Sequence, residues 1–178
     1  ERFVQAGLAP IGIDHFAASG DDLAVAHDAG RLRRNFQGYT ADSCQTLIGL
    51  GASSISRFPG GYVQNAPATA AYKQRIAQAI FPGSRGYEMT ADDQLHARAI
   101  ETLMCYFALD LADLSRDYGP RAYTLRPCLE GIETRFKPFA RLVGQRISIA
   151  PEGRSLTRII ASTLDQHVPE GVRYSQAS

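Results

Sequence analysis

The start of the chain alternates between a strand-like and a helix-like pattern, and this alternation constrains the fold most strongly. The run PIGIDHFA is short, apolar and β-branched, which is typical of a buried strand. The following segment DDLAVAHDAG predicts a helix that Asp21 or Asp22 caps and Gly30 ends. Because strands that alternate with helices are typical of α/β folds, we expect α/β architecture for this part.

The pattern changes beyond FPGSRGY, residues 81–87. Thr90, with two aspartates shortly after it, predicts the start of a helix whose apolar residues then repeat at helical spacing. A second helix is predicted near 121–136, with Pro127 at a kink or in its first turn. Two short strands around a glycine turn and a closing helix complete a two-strand wing that resembles winged-helix modules.

These patterns predict two domains, residues 1–85 and residues 86–178. The second domain is expected to be mainly helical, so the expected fold class ranges from α/β to α+β. Hydrophobic residues make up 44% of the chain, which is enough for a buried core, and the formal net charge is +1. That balance gives no support for a nucleic-acid partner, and no apolar run approaches the roughly 18 residues that a membrane span requires.

The three cysteines, Cys44, Cys105 and Cys128, are far apart and form neither a C-x-x-C pair nor a C-x-x-x-C-x-x-C triplet. An odd, scattered set indicates free thiols in a reducing compartment, and we expect the protein in the cytoplasm. Cys105 lies in the apolar helix and is expected to be buried and inert. The four histidines are equally dispersed, so no metal site is expected from this chain.

Three short features each allow two interpretations. The glycine pair in GLG, residues 49–51, lacks the third glycine of a dinucleotide fingerprint, so a structural turn is favoured over a nucleotide site. Asp14 and His15 could form an acid–base pair, but neighbours on a strand point to opposite faces, which favours a structural role. The arginines of RLRRNFQGYT, residues 31–40, are either a solvated cluster or a carboxylate-binding group.

Four stretches occur in a distinctive order and spacing: GIDHFA, DDLAVAHDAGRLRRNFQGYT, LIGLGASSIS and YVQN. In this combination the chain resembles the oxygen-independent coproporphyrinogen III oxidases, also called coproporphyrinogen dehydrogenases, of the radical S-adenosylmethionine class. The resemblance is strong over 11–65 and looser over the C-terminal module. Relatives in the haem-chaperone branch carry a tyrosine–tryptophan pair where this chain has Phe36 and Gln37, which favours the oxidase.

The resemblance implies a chemistry in which a 4Fe–4S cluster cleaves S-adenosylmethionine and the resulting radical abstracts hydrogen from a propionate. Two propionates of coproporphyrinogen III become vinyl groups, giving protoporphyrinogen IX in haem biosynthesis. The family holds its cluster with a cysteine triplet in a partial (β/α) barrel, and this chain has no such triplet. We therefore expect a C-terminal portion, with the last barrel strand or strands followed by the helical domain, that is inactive and binds no cofactor alone.

The resemblance also assigns residues. Phe36, Gln37 and Ile55 match the family positions that help to hold a second S-adenosylmethionine, and we add Arg34 as a residue that could face a substrate propionate. The expected partners are coproporphyrinogen III and S-adenosylmethionine, with no nucleic acid and no membrane span. The full-length protein is expected to be a monomer, whereas the fragment could self-associate through faces that the barrel would cover.

Two alternative functions stay open at this point. The wing-like tail could belong to a winged-helix nucleic-acid-binding module, although its closing helix offers only Arg154 and Arg158 as basic residues and Asp165 opposes them. The chain could also belong to a haem-chaperone relative of the same superfamily.

Overall fold

The computed structural model describes residues 2–167 and divides into two compact units. The first unit combines the residues up to Asp42 with those from Leu95 onward, and the second unit is Ser43–Gln94. The division into domains 1–85 and 86–178 stays a prediction. No helix in the described part of the chain is both long and apolar enough to cross a membrane.

Helices and short antiparallel sheets are mixed along the chain. The described helices are α1 (Arg2–Gln5), α2 (Asp22–Asp28), α3 (Thr69–Ala77), α4 (Ala91–Tyr106), α5 (Leu111–Tyr118), α6 (Arg126–Arg135) and α7 (Thr157–Ser162), with 3₁₀ turns at Gly119–Leu125 and Pro151–Leu156. The described strands are β1 (Ala9–Ile11), β2 (His15–Ala17), β3 (Arg33–Arg34), β4 (Tyr39–Thr40), β5 (Ile55–Phe58), β6 (Gly61–Asn65), β7 (Gly83–Glu88), β8 (Ala108–Asp110), β9 (Ala140–Val143) and β10 (Arg146–Ile149).

The PIGIDHFA segment is a hairpin rather than the single strand that its composition predicts. Strand β1 pairs antiparallel with β2, from Ala9 opposite Ala17 to Ile11 opposite His15. The reversal is possible because Gly12 adopts a φ of 57°, in the left-handed region that glycine enters without a Cβ penalty. Asp14 therefore lies in the turn between β1 and β2 and not in a strand.

Gly12 also lies too close to an aromatic ring for any larger residue to fit. An added Cβ would overlap the Tyr39 ring, whose hydroxyl is fixed by two hydrogen bonds. Gly12→Ala is therefore expected to lower the free energy of unfolding by about 3 kcal/mol, from left-handed strain and overpacking together. Gly30 also has a positive φ but open space around it, so Gly30→Ala is expected to cost only about 1 kcal/mol. Equal losses in urea unfolding would contradict this account.

The predicted helix starts are confirmed where local hydrogen bonds fix them. The Asp21 side chain accepts from the backbone N–H of Leu23 at 2.8 Å and so caps α2. At the start of α4, the backbone N–H of Thr90 donates to Asp93 Oδ2 at 2.8 Å, and the N–H of Asp93 donates to Thr90 Oγ1 at 3.1 Å. This reciprocal pair is a capping box, and α4 begins at Ala91 as the sequence predicts.

The hydrophobic core lies in the first unit. Its larger cluster joins α4, α5, α6 and α7 to a three-stranded sheet of order β8–β10–β9, and a smaller cluster lies beneath the β1–β2 hairpin. The predicted pair of strands around a glycine turn is confirmed as β9 and β10 joined at Gly144, and Pro127 lies in the first turn of α6. The third strand, β8, is a finding that the sequence did not predict.

The second unit is a sheet of order β5–β6–β7 accompanied by α3. The PGG segment, residues 59–61, makes the turn between β5 and β6, with Phe58 opposite Gly61. None of the largest fully buried side chains of the described chain belongs to this unit, and many of its large apolar residues are exposed. The unit therefore presents apolar surface rather than a closed core of its own.

Candidate functional site

The candidate site is built on the hairpin of β3 and β4, in which Arg34 lies opposite Tyr39. The backbone N–H of Asn35 donates to Gly38 O at 2.9 Å and closes the turn. The Asn35 side chain accepts from the N–H of Gln37 at 2.8 Å, which is an Asx turn that asparagine favours. The hairpin tip therefore carries Phe36 and Gln37, and both side chains are exposed.

A buried carboxylate on α4 holds this hairpin. Glu101 is only 8% exposed, and its Oε1 accepts from the backbone N–H of Arg34 at 2.9 Å and pairs with Arg33 Nε at 2.9 Å. Its other oxygen, Oε2, pairs with Arg98 Nη1 at 3.0 Å. A buried charge is tolerated when it is paired and hydrogen-bonded in this way. Glu101 thus fixes the base of the hairpin and neutralises one of its arginines.

The arginines of the hairpin segment consequently differ in what they can do. Arg31 is exposed, and Arg33 is committed to Glu101. Arg34 has a buried Nε with no hydrogen-bond partner among the described residues, and its Cζ lies 5.7 Å from the centre of the Tyr39 ring. Buried donors without an acceptor are rare in proteins, so this arginine needs a functional explanation. One explanation is that the Arg34 guanidinium binds an anionic ligand, which its planar geometry suits.

Tyr39 anchors the other side of the hairpin. Its hydroxyl donates to Met104 O at 3.0 Å and accepts from the backbone N–H of Ile13 at 3.0 Å. Burial raises the pKa of Tyr39, so the phenol stays protonated and serves as donor and acceptor at once. The tyrosine thereby ties the hairpin to α4 and to the turn after β1.

Asp14 and His15 are brought together, contrary to the expectation that they point to opposite faces. His15 Nδ1 lies 2.9 Å from Asp14 Oδ1, because Asp14 sits in the turn and not in a strand. Asp14 Oδ2 accepts from Arg158 Nη2 of α7 at 2.5 Å. The imidazole packs edge-on against Tyr39, with ring centres 5.0 Å apart. The pair therefore belongs to the surroundings of the hairpin.

Ile55 lies in the second unit, as the first residue of β5, and is 36% exposed. Its backbone passes against Gly49, where an added Cβ would lie 2.8 Å from Ile55 O. The Asn65 side chain donates to the carbonyls of Gly49 and Gly51, at 3.0 Å each. The GLG segment is thus a close-packed turn, and this structural interpretation is the one that its contacts support.

An apolar cavity of about 520 Å³ lies within the second unit. Among its lining residues are Ile48, Leu50, Ile76 and Phe81, of which Phe81 is 93% exposed. The polar Asn65 in its wall already donates to the GLG carbonyls, so the cavity favours an apolar occupant.

The three cysteines differ in their burial. Burial raises the pKa of the Cys105 thiol to about 12, so it stays protonated and unreactive. Cys44 is exposed and Cys128 half-buried. Within residues 2–167, no group of three or more His, Cys, Asp or Glu side chains is placed to hold a metal ion.

The sequence patterns did not predict two residues of the site, Glu101 and Tyr39. Glu101 is an acidic residue within a helix whose neighbours are largely buried, and Arg98 precedes it by three positions. An acidic residue in such a helix signals a buried ion pair, but the sequence does not show that the partner is the hairpin. That contact joins positions 67 residues apart.

Comparisons with known proteins find similar sequences over the whole length of this chain. An oxygen-independent coproporphyrinogen III oxidase of Cereibacter sphaeroides is 50% identical over 100% of this chain. A protein of the same name from Paracoccus denitrificans is 48% identical over 93% of it. Over its whole length the chain is therefore similar to oxygen-independent coproporphyrinogen III oxidases. The chain spans 40% of the length of the first of these relatives and 37% of the second.

A solved structure of a coproporphyrinogen III oxidase matches the fold. Coproporphyrinogen III oxidase HemN from Escherichia coli, described as a radical SAM enzyme, is 30% identical, with a TM-score of 0.84. The match covers 94% of this chain and 39% of HemN. No family model matches the chain.

Proposed function

We propose that the chain is the C-terminal part of a cytoplasmic enzyme that oxidatively decarboxylates two propionates of coproporphyrinogen III, giving protoporphyrinogen IX without oxygen. The observation that carries this proposal is the 50% identity to a coproporphyrinogen III oxidase over the whole chain. In the full-length protein, a 4Fe–4S cluster and S-adenosylmethionine supply the radical that removes hydrogen from a propionate. The 178 residues alone are expected to be inactive.

We propose that Phe36, Gln37 and Ile55 contact a second S-adenosylmethionine. The residues fit this role, because the Asx turn presents both tip side chains outward and Ile55 is partly exposed. The Gln37 amide has no hydrogen bond to another described residue, so it can both donate to and accept from a polar ligand. Phe36 and Ile55 are apolar side chains that each expose surface to a ligand.

We propose that Arg34 receives a propionate of the substrate. Its neighbour Arg33 is neutralised by Glu101, whereas the Arg34 guanidinium has no carboxylate partner among the described side chains. A propionate would form with this guanidinium the paired hydrogen bonds that guanidinium geometry favours.

We propose that the C-terminal module has a winged-helix-like arrangement used for packing. The order α4–β8–α5–α6–β9–β10, with β10 between β8 and β9, supports this comparison. The two basic residues of its closing helix region are engaged within the molecule, since Arg158 binds Asp14 and the Arg154 guanidinium lies 4.5 Å from the centre of the Phe107 ring. These contacts favour an internal role over nucleic-acid binding.

Anaerobic turnover of the full-length protein with coproporphyrinogen III tests the proposed function. We expect two molecules of carbon dioxide per protoporphyrinogen IX formed, and no product when S-adenosylmethionine is omitted. Specific haem uptake without turnover would instead indicate the haem-chaperone alternative.

Analytical ultracentrifugation of the same sample is expected to show a monomer, whereas the 178 residues alone are expected to self-associate through their exposed apolar residues.

A further inference from the structure

The Asp14–His15 pair lies against the β3–β4 hairpin, next to Tyr39 and Gly38. A carboxylate only accepts hydrogen bonds, so the contact at 2.9 Å assigns the proton to Nδ1 of His15. Asp14 is held in turn by Arg158, and the imidazole by its edge-on packing against Tyr39. In the neutral imidazole Nε2 is therefore an acceptor, and it has no hydrogen-bond partner among the described residues.

The position of Nε2 connects this pair to the hairpin tip. A Cβ built on Gly38 would lie 3.5 Å from His15 Nε2, so the free nitrogen faces the backbone directly after Gln37. Gly38 has no side chain to occupy that space, and its φ of 142° disfavours any other residue. The acceptor nitrogen of His15 is therefore close to the hairpin tip that carries Gln37.

The hydrogen bond between His15 and Asp14 favours a strong donor at Nε2. Asp14 lies behind the ring and increases its strength as an acceptor, in the way that a carboxylate orients and polarises a histidine. The strongest hydrogen bonds to such an acceptor come from charged N–H groups. S-Adenosylmethionine carries one group of this kind, the ammonium of its methionyl part, whereas a propionate has no donor.

We propose that His15 is a further binding residue of the hairpin-tip site, where its Nε2 accepts a hydrogen bond from the ammonium group of the second S-adenosylmethionine. Asp14 acts through His15 as a positioning residue. The inference rests on the proposed function, and it leaves Arg34 for the carboxylate of the substrate.

The test is anaerobic equilibrium dialysis of the full-length protein with S-adenosylmethionine and, separately, with coproporphyrin III. His15→Leu is expected to lower the affinity for the second S-adenosylmethionine by about 10- to 100-fold, which is the effect of losing one charged hydrogen bond. Binding of coproporphyrin III is expected to be unchanged. His15→Gln, which keeps an acceptor, is expected to restore most of the affinity. An S-adenosylmethionine analogue without the amino group is expected to bind wild type and His15→Leu equally.

The chain supplies a matched control in His27, whose Nδ1 lies 3.1 Å from the neighbouring Asp28 in the same kind of adjacent pair. His27→Leu is expected to change neither affinity by more than about 2-fold. Unchanged S-adenosylmethionine binding in His15→Leu overturns the proposal, and so does an equal loss for the analogue or a loss confined to coproporphyrin III. A wild-type protein that binds neither compound overturns the proposed function itself, and with it the role of His15.

Discussion

Glu101→Ala is expected to lower the free energy of unfolding by about 4 kcal/mol, because it breaks a buried ion pair and leaves its partners uncompensated. The substitution removes the acceptor of the Arg34 backbone N–H at 2.9 Å and separates Arg33 and Arg98 from their shared carboxylate. Both arginines keep some access to water, so the loss stays below that of a fully enclosed charge. Urea unfolding followed by circular dichroism measures it.

Glu130 provides the matched control for this substitution. It pairs with Arg126 at 2.9 Å on the surface of α6, and its side chain is 55% exposed. Exposed pairs four residues apart in a helix contribute about 0.5 kcal/mol, so Glu130→Ala should be nearly neutral. If Glu101→Ala is as mild as Glu130→Ala, the carboxylate does not hold the hairpin.

Gln37→Ala in the full-length protein is expected to reduce the rate of protoporphyrinogen IX formation by about 10- to 100-fold, since a lost hydrogen bond to a charged ligand has roughly this effect. The fold should be unaffected, because the Gln37 side chain is exposed and the turn depends on its backbone N–H. Initial rates under anaerobic conditions, together with an unchanged melting temperature, check this expectation.

Gln74→Ala is the control for that substitution, since Gln74 is an exposed glutamine of α3 that does not line the cavity. It should leave the rate within about 2-fold of wild type, as surface substitutions usually do. Equal rates for wild type, Gln37→Ala and Gln74→Ala would remove the hairpin tip from the ligand site.

Local patterns predicted the elements that local physics fixes. The capping residues Asp21 and Thr90 act on backbone groups within three positions, so the starts of α2 and α4 could be read from the sequence. The hairpin of β1 and β2 could not, because PIGIDHFA suits one buried strand as well as two short ones. What decides between them is the turn at Gly12, supported by the distant Tyr39.

The candidate site was only partly predictable for the same reason. Phe36 and Gln37 were assigned by resemblance, and the structure presents both at one hairpin tip. The partners of that hairpin come from α4 and from the turn at Asp14, and no spacing rule joins such distant positions. The first unit is discontinuous and resumes at Leu95. Patterns that are read along the chain do not predict that two separated segments fold into one unit.

The number of S-adenosylmethionine molecules bound by the full-length protein under anaerobic conditions tests the central claim most directly. Dialysis with the labelled compound is predicted to give two per wild-type polypeptide and one for Gln37→Ala. A single molecule bound by wild type, with no change in Gln37→Ala, would contradict the assignment of this hairpin as part of the cofactor site.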